Sequence, residues 1–240
     1  MKTIKGPINS WRLGECMSVD PIRRAPKVCS EDCIYCMLGS SGFLATKRSS
    51  LVSTEEVVED LSELASIHRG LPIRFFGTGE TTLASNLGEM IEAARASGVG
   101  STAVLTNSTL MERSEVREDL ERADVIIAKV DASDERSFQR INRPHCDVSF
   151  SRMVRGLRYM RSNYKGSLRL QIMLMKENES QAEGLAQLCS DLSPDLIYLS
   201  TPTRPCHATP LTYRSLQEIS RRFHRQGLNV TYEGRGDRET

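Results

Sequence analysis

No stretch of eighteen consecutive apolar residues occurs in the 240-residue chain, and its first fifteen residues, MKTIKGPINSWRLGE, contain no apolar leader segment. A membrane span and classical secretion are therefore not expected, and a cytoplasmic protein is. Excess charge is missing too. Lys and Arg number 32 against 31 Asp and Glu, a net charge of +1, which argues against a globally basic nucleic-acid binder. No linker, internal repeat or low-complexity tract breaks the chain, so one domain over 1–240 is the expectation. What the chain does hold is seven cysteines. An odd number in a chain without a secretory signature disfavours a disulfide framework and favours metal or redox chemistry.

Helical and strand-like patterns alternate almost from end to end. Helices are predicted at Leu51–Arg69, Leu87–Ser97, Ser114–Arg122, Glu135–Ile141, Ser149–Ser162, Ala182–Leu192 and Tyr213–Gln226. The first has Ser53 and Glu56 at capping-box spacing, with Val52 and Val57 able to staple it. Short apolar runs at Met17–Val19, Ile73–Phe76, Thr102–Leu105, Val125–Val130, Leu168–Leu174 and Leu196–Ser200 read as strands, with a last one at Asn229–Tyr232. Strands separated by helices form parallel sheets with right-handed crossovers. Eight regular units need about 250 residues, and the first fifty here are loop-rich, so an incomplete six-unit (β/α)6 TIM-like barrel is predicted. Residues 1–50 would supply an N-terminal strand and a cysteine-bearing loop, 51–232 the βα units, and 233–240 a tail.

Cys29, Cys33 and Cys36 lie in VCSEDCIYCMLG with the spacing C-x3-C-x2-C. Structural zinc takes four protein ligands, and an electron-carrying [4Fe–4S] cluster usually takes four cysteines. Three close thiolates leave one coordination position for something that is not protein. A zinc site completed from a distance, or cysteines packed by chance, is the alternative reading. Cys189 shares a helix face with Leu185, Leu188 and Leu192 and reads as core, while Cys16 and Cys146 have no obvious ligand partners.

This spacing, with Tyr35 before the third cysteine, resembles the signature of the radical S-adenosylmethionine (SAM) enzymes. GPINSWRLGECMSVD, FFGTGETTL, LTNSTL, KVDASDERSFQRINRPH and STPTRP further resemble the radical SAM iron–sulfur oxidoreductases related to the 4-demethylwyosine synthases. The resemblance implies that Cys29, Cys33 and Cys36 hold a [4Fe–4S] cluster whose open iron is chelated by SAM. It also implies that reductive cleavage of SAM yields a 5′-deoxyadenosyl radical that abstracts hydrogen from a substrate, with ferredoxin or flavodoxin as reductant under anaerobic conditions. Gly77, Thr78, Gly79 and Glu80 stand where the family carries a Gly-Gly-Glu-like motif, and would receive the methionyl end of SAM. The two glycines would let backbone approach the ligand, and Glu80 would add charge or fix the loop. The 4-demethylwyosine synthases carry an upstream cysteine set for a second cluster. Only Cys16 precedes the triplet here, so the same pyruvate-dependent reaction is not the expectation, while tRNA-base modification of the 4-demethylwyosine type stays as an alternative.

Asn107 and Asp131 follow strands that end on the same rim and suit ribose hydroxyls or the methionyl carboxylate environment; Ser133 is a third candidate contact. Helix capping or turn shaping would account for all three equally simply. Of Leu170, Gln171, Ile172 and Met173, one alternate pair points inward. Arg204, Cys206 and His207 sit in a proline-stiffened rim loop, where a thiol could relay a hydrogen atom or merely pack. From Arg136 to Arg169 nine basic residues face one acid, Asp147, but without the interleaved aromatics that stack bases. The substrate expected on balance is a macromolecule, protein or peptide ahead of RNA, with a non-catalytic iron–sulfur carrier or zinc adaptor as the rival from another class.

Overall fold

A computed structural model describes residues 3–40, 43–68 and 70–233. Eight strands form one sheet in sequence order: β1 (Ile4–Ser10), β2 (Gly14–Val19), β3 (Ile73–Phe75), β4 (Thr102–Thr106), β5 (Val125–Lys129), β6 (Ser167–Met173), β7 (Leu196–Ser200) and β8 (Val230–Glu233). β1 runs antiparallel to β2, and every later neighbour is parallel. Helices α1 (Thr54–Ile67), α2 (Leu87–Ala96), α3 (Ser114–Leu120), α4 (Glu135–Ile141), α5 (Phe150–Asn163), α6 (Ala182–Leu192) and α7 (Tyr213–Arg225) make the crossovers. Six βα units from β2 to β7, closed off by β8, give the predicted incomplete barrel. β1 and β8 do not pair, so the sheet stays open along one side.

β1 is an addition to the prediction. Its Gly6, Pro7 and polar residues carry no strand signal, and an edge with a register shift between Lys5 and Ile8 is where a strand tolerates them. The start of α1 also differs in detail. Ser53 caps it by accepting from the Glu56 amide at 3.1 Å, but the Glu56 carboxylate turns to Thr3 and Arg23 instead of completing the box. Arg69, the predicted end of this helix, and 234–240 of the predicted tail lie outside the described residues.

Alternation along the strands sorts side chains onto two faces. Phe75, Val104, Ile126, Leu170, Ile172 and Ile197 join the main core with Leu61, Met90, Leu157, Leu185 and Phe223 of the helices. The concave face takes the alternate set. Ala103, Leu105, Val125, Ile127 and Tyr198 pack there with Phe76 and with Trp11 and Leu13 from the turn between β1 and β2. Gln171 and Met173 are thus the inward pair, with Met173 packed against Ile34 and Tyr35.

Candidate active site

The segment carrying the three cysteines crosses the carboxyl ends of the strands and is tied to several of them. Beyond β3, the Val28 amide donates to Thr78 O (3.3 Å) and the Glu80 amide to Val28 O (3.0 Å). Beyond β4, Asn107 Nδ2 donates to Ser30 Oγ at 2.9 Å and reaches Cys29 Sγ at 3.6 Å, and Ser30 shares a 2.7 Å hydrogen bond with Thr109. After α4 the Asp32 and Ile34 amides donate to carbonyls of Asn142 and Ile141, and the His207 amide closes the far side on Ile34 O. All three cysteines are free thiols, half-buried.

The glycines of the GTGE segment allow close approaches to the protein itself. A Cβ on Gly77 would lie 1.9 Å from the Asp20 carboxylate, and one on Gly79 only 1.8 Å from Val28 O. Asp20 accepts from the Thr78 amide as well as from Ile22 and Arg23, and so pins this turn from β2. Thr78 Oγ1 accepts from the Arg24 amide. Glu80 is buried and its carboxylate is saturated. Oε1 accepts from Thr82 N (3.0 Å), Thr82 Oγ1 (2.6 Å) and Thr106 Oγ1 (2.5 Å), and Oε2 from Asn107 N (2.7 Å). Of the two roles read for it, fixing the loop is the one this geometry performs.

Asp131 is the second hub. Oδ1 accepts from the Met173 amide (2.8 Å), while Oδ2 accepts from Tyr35 Oη and from Asn142 Nδ2 (3.2 Å) and lies 3.5 Å from Lys129 Nζ. Lys129 also donates to Tyr35 Oη and stands over its ring at 4.1 Å. Burial opposes the charge on Lys129, but Asp131 and the neighbouring Cys33 and Glu31 carry its pKa upward. Burial and then Asp131 push the Tyr35 phenol well up, which keeps it a neutral donor. Ser133 is not part of this assembly. It lies against Gly184 of α6, and the cap of α4 is Asp134, which accepts from Ser137 N at 2.8 Å.

Sequence reading assigned no role to Lys129, Asn142 or Glu31. Asn142 Nδ2 lies 3.6 Å from Cys33 Sγ and 3.5 Å from Glu31 Oε2, to which the Cys33 thiol donates at 3.2 Å. Burial raises the Glu31 carboxyl to about 8 and the Cys29 thiol to about 12, and lifts Cys33 well above the ordinary thiol range. Thiols in such surroundings stay protonated and inert unless a metal takes the proton's place.

Two observations test whether the trio fits a cluster. A single zinc ion with ligands at about 2.3 Å would draw its sulfurs to within about 4 Å of one another. Among the described residues only His145, Cys146 and Asp147 bring three such donor atoms within 4.8 Å, so the loop thiols are not gathered at the spacing of a single ion's ligands. Glu31 Oε1 and Asn142 Oδ1, both buried beside Cys33, have no donor among the described residues, and an ammonium would supply one. The residues fit a cluster with an amine-bearing ligand. The His145–Cys146–Asp147 group corrects the expectation that Cys146 has no local ligand partners. Its geometry is that of a turn, because His145 Nδ1 already accepts the Asp147 amide at 3.1 Å. Cys206 packs beside Cys33 and Ile34 with its thiol on Ala208 O at 3.5 Å, while Arg204 and His207 are exposed.

The open parallel half-barrel, with a three-thiol loop across its carboxyl end, is the architecture of enzymes that generate radicals from SAM, and the model of the Radical SAM superfamily matches residues 26–189. The chain belongs to the Radical SAM superfamily. It is 35% identical over 203 residues to a UPF0026 protein of Synechocystis sp., covering 84% of this chain and 76% of that one. Streptococcus suis SuiB bound to S-adenosylmethionine shares its fold with a TM-score of 0.67 at 17% identity, over 87% of this chain and 49% of SuiB. TYW1 with a lysine-pyruvate adduct bound does so at 0.68 and 17%, over 88% of this chain and 73% of that one. The chain thus spans about half of SuiB, and as little as 30% of one curated relative. The family implies a [4Fe–4S] cluster and SAM as cofactors.

Proposed function

We propose that this enzyme abstracts hydrogen from a macromolecular substrate, a protein or peptide, using Cys29, Cys33 and Cys36 as ligands of the cluster. The cluster and SAM, when bound, supply a reductively generated 5′-deoxyadenosyl radical; ferredoxin or flavodoxin is the class of reductant required. The chain's own part is positioning. Asn107 and Asn142 direct amide N–H groups at the sulfurs of Cys29 and Cys33, which favours thiolates over thiols. The Gly77–Glu80 turn holds the first cysteine in place through Val28. Asp131 orients Tyr35 and Lys129 on the concave side, where Lys129 offers a cation to a carboxylate such as SAM carries.

One observation carries the size of the substrate. Exposed apolar side chains follow the third cysteine along the chain: Met37 and Leu38 are nearly half exposed and Phe43 is 81% exposed. Apolar side chains presented together beside a reactive centre fit a partner that covers them. The second reading is modification of a tRNA base, supported by the sequence blocks resembling 4-demethylwyosine synthases. Against it, Arg152 and Arg155 of the basic stretch are engaged by Glu112, and Arg161 by Asp195.

Protein reconstituted without oxygen is expected to bind about four irons per chain and to form 5′-deoxyadenosine from SAM once reduced. Zinc in place of iron, or no SAM cleavage, would sink the assignment. Mass spectrometry of peptides and of RNA from cells lacking the gene separates the two substrate readings, since only the true class loses a mass increment.

A further inference from the structure

Three arginines point into the concave face: Arg12 from the turn between β1 and β2, Arg74 from β3 and Arg169 from β6. Several other arginines that are partly covered meet acids, as Arg48 does Asp119, Arg23 does Glu56 and Arg152 does Glu112. None of these three has a carboxylate within 4.0 Å among the described residues. Their partners are neutral. Arg74 Nε donates to Ser18 Oγ (3.2 Å), Arg169 Nε to Ser167 Oγ (3.1 Å), and Arg169 Nη1 to Tyr198 Oη (2.9 Å), which in turn donates to Arg12 O (2.9 Å). Each guanidinium has five donors, so most are left over. Arg12 Nε is buried with no acceptor among the described residues.

Aromatic rings hold the cations in place. Arg12 lies 4.8 Å over Trp11, Arg74 5.3 Å over Phe76, and Trp11 meets Tyr198 edge-on at 5.3 Å. Such stacking fixes a guanidinium without discharging it. Burial and the like charge of Arg74 then press the Arg12 pKa down to about 10, the sign of a site short of negative charge. The nearest acid in electrostatic reach, Glu233 at the end of β8, offsets this only from beyond ion-pair distance. Keeping unpaired like charges together in half-buried positions is unfavourable, and an oxyanion that accepts from the planar forks relieves it.

We propose that Arg12, Arg74 and Arg169 form a site for an oxyanion, a phosphate or a carboxylate, carried by the substrate. It deepens the hydrogen-abstraction reading and rests on it, since the bound group would share the concave face with the cysteine loop. Arg169 precedes Met173, whose amide holds Asp131, by four residues along β6. That separation is about 13 Å along a strand. The site would therefore grip a substrate away from its reacting carbon, and a substrate lacking the anion would bind poorly.

Trp11 is the only tryptophan, and its emission reports on this site. Titration of the full chain with inorganic phosphate or with acetate, at ionic strength held constant with chloride, is expected to give a saturable change in emission and a rise in thermal midpoint. The anion that saturates at the lower concentration identifies the source. Arg74→Gln and Arg169→Gln should each weaken the response at least tenfold, and Arg169→Lys, which keeps charge but not the fork, less. A chain that responds to neither anion, or variants that respond as the parent does, would overturn the proposal. If the glutamine variants do not fold, the lysine variant and the parent's thermal shift decide. None of these readouts needs the cluster, so a failed site and a failed radical reading are told apart by whether 5′-deoxyadenosine still forms.

Discussion

At the carboxyl end of the sheet, Glu80 and Asp131 are almost wholly buried, yet each carboxylate oxygen meets a donor from a neighbouring strand or loop. At the opposite end, Arg12, Arg74 and Arg169 meet hydroxyls, a carbonyl-bound phenol and ring faces, and no acid. Both ends draw charge at least partly out of solvent, but only one saturates it with hydrogen bonds from within. A saturated carboxylate is a fixed part whose function is to locate its donors. An unsaturated cation keeps its binding capacity for something else. The cysteine loop needs the first kind of part because three sulfurs must be held at set positions, and a substrate grip needs the second.

The largest effect expected at either end is that of Glu80→Ala. It strands the amides of Thr82 and Asn107 in the interior, each at a cost of about 1–3 kcal/mol, and should lower stability by about 3 kcal/mol or more in urea unfolding. Asn107 reaches both Ser30 and Cys29, so iron retention should fall with it. Arg74→Gln at the other end should shift stability by no more than about 1 kcal/mol, the like-charge relief at Arg12 offsetting the lost hydrogen bond to Ser18. Equal losses for the two variants would erase the contrast between the ends.

Much of this was legible in the sequence, and the failures share a cause. α4 and α6 have their predicted bounds, because capping and helical periodicity are local properties. The cysteine triplet is legible for the same reason, lying within eight residues. Glu80 was legible as a position but not as a hub, since its donors Thr82, Thr106 and Asn107 converge only once β3 and β4 pair. Lys129 and Asn142 take their reason from residues far away in sequence, Lys129 from Tyr35 and Asn142 from Glu31 and Cys33. Ser133 shares strand parity with Asp131, but the chain has already left the sheet there and faces α6. Arg169 sat at the end of a run of nine basic residues and carried no separate reading there. Alternation along β6 was the available signal, for it puts Arg169, Gln171 and Met173 on one face.

A smaller effect sharpens what holds the carboxyl end. The Cβ of Gly79→Ala would strike the Val28 carbonyl, which is backbone and leads directly into Cys29. Overpacking of this kind costs about 1–3 kcal/mol, and here the displaced atoms carry the cysteine loop, so iron per chain after reconstitution should fall more than stability does. The Cβ of Gly77→Ala meets the Asp20 side chain instead, which can swing away at the loss of its amide hydrogen bonds. Iron content should therefore rank parent, Gly77→Ala, Gly79→Ala. The reverse order would mean that Asp20, and not the contact with Val28, sets the loop's position.

The smallest effect belongs to neither end but to the outer layer, where charges are paired in solvent. Glu112 takes Arg155 and Arg152 from α5, and the Arg155 hydrogen bond leads in holding its carboxyl below the usual range. A carboxyl depressed in the folded state adds stability above its unfolded pKa of about 4.3 and loses it as pH falls through the lower folded value. Solvent screening limits the amount to about 0.5 kcal/mol. Stability curves of the parent and of Glu112→Gln should therefore differ by that little at pH 7 and converge under acid. The pair is also a control on the interior arginines. Raised salt should weaken Glu112's contribution, because exposed ion pairs are screened. In the concave face an added anion should do the opposite and stabilise, because there the missing partner is the anion itself.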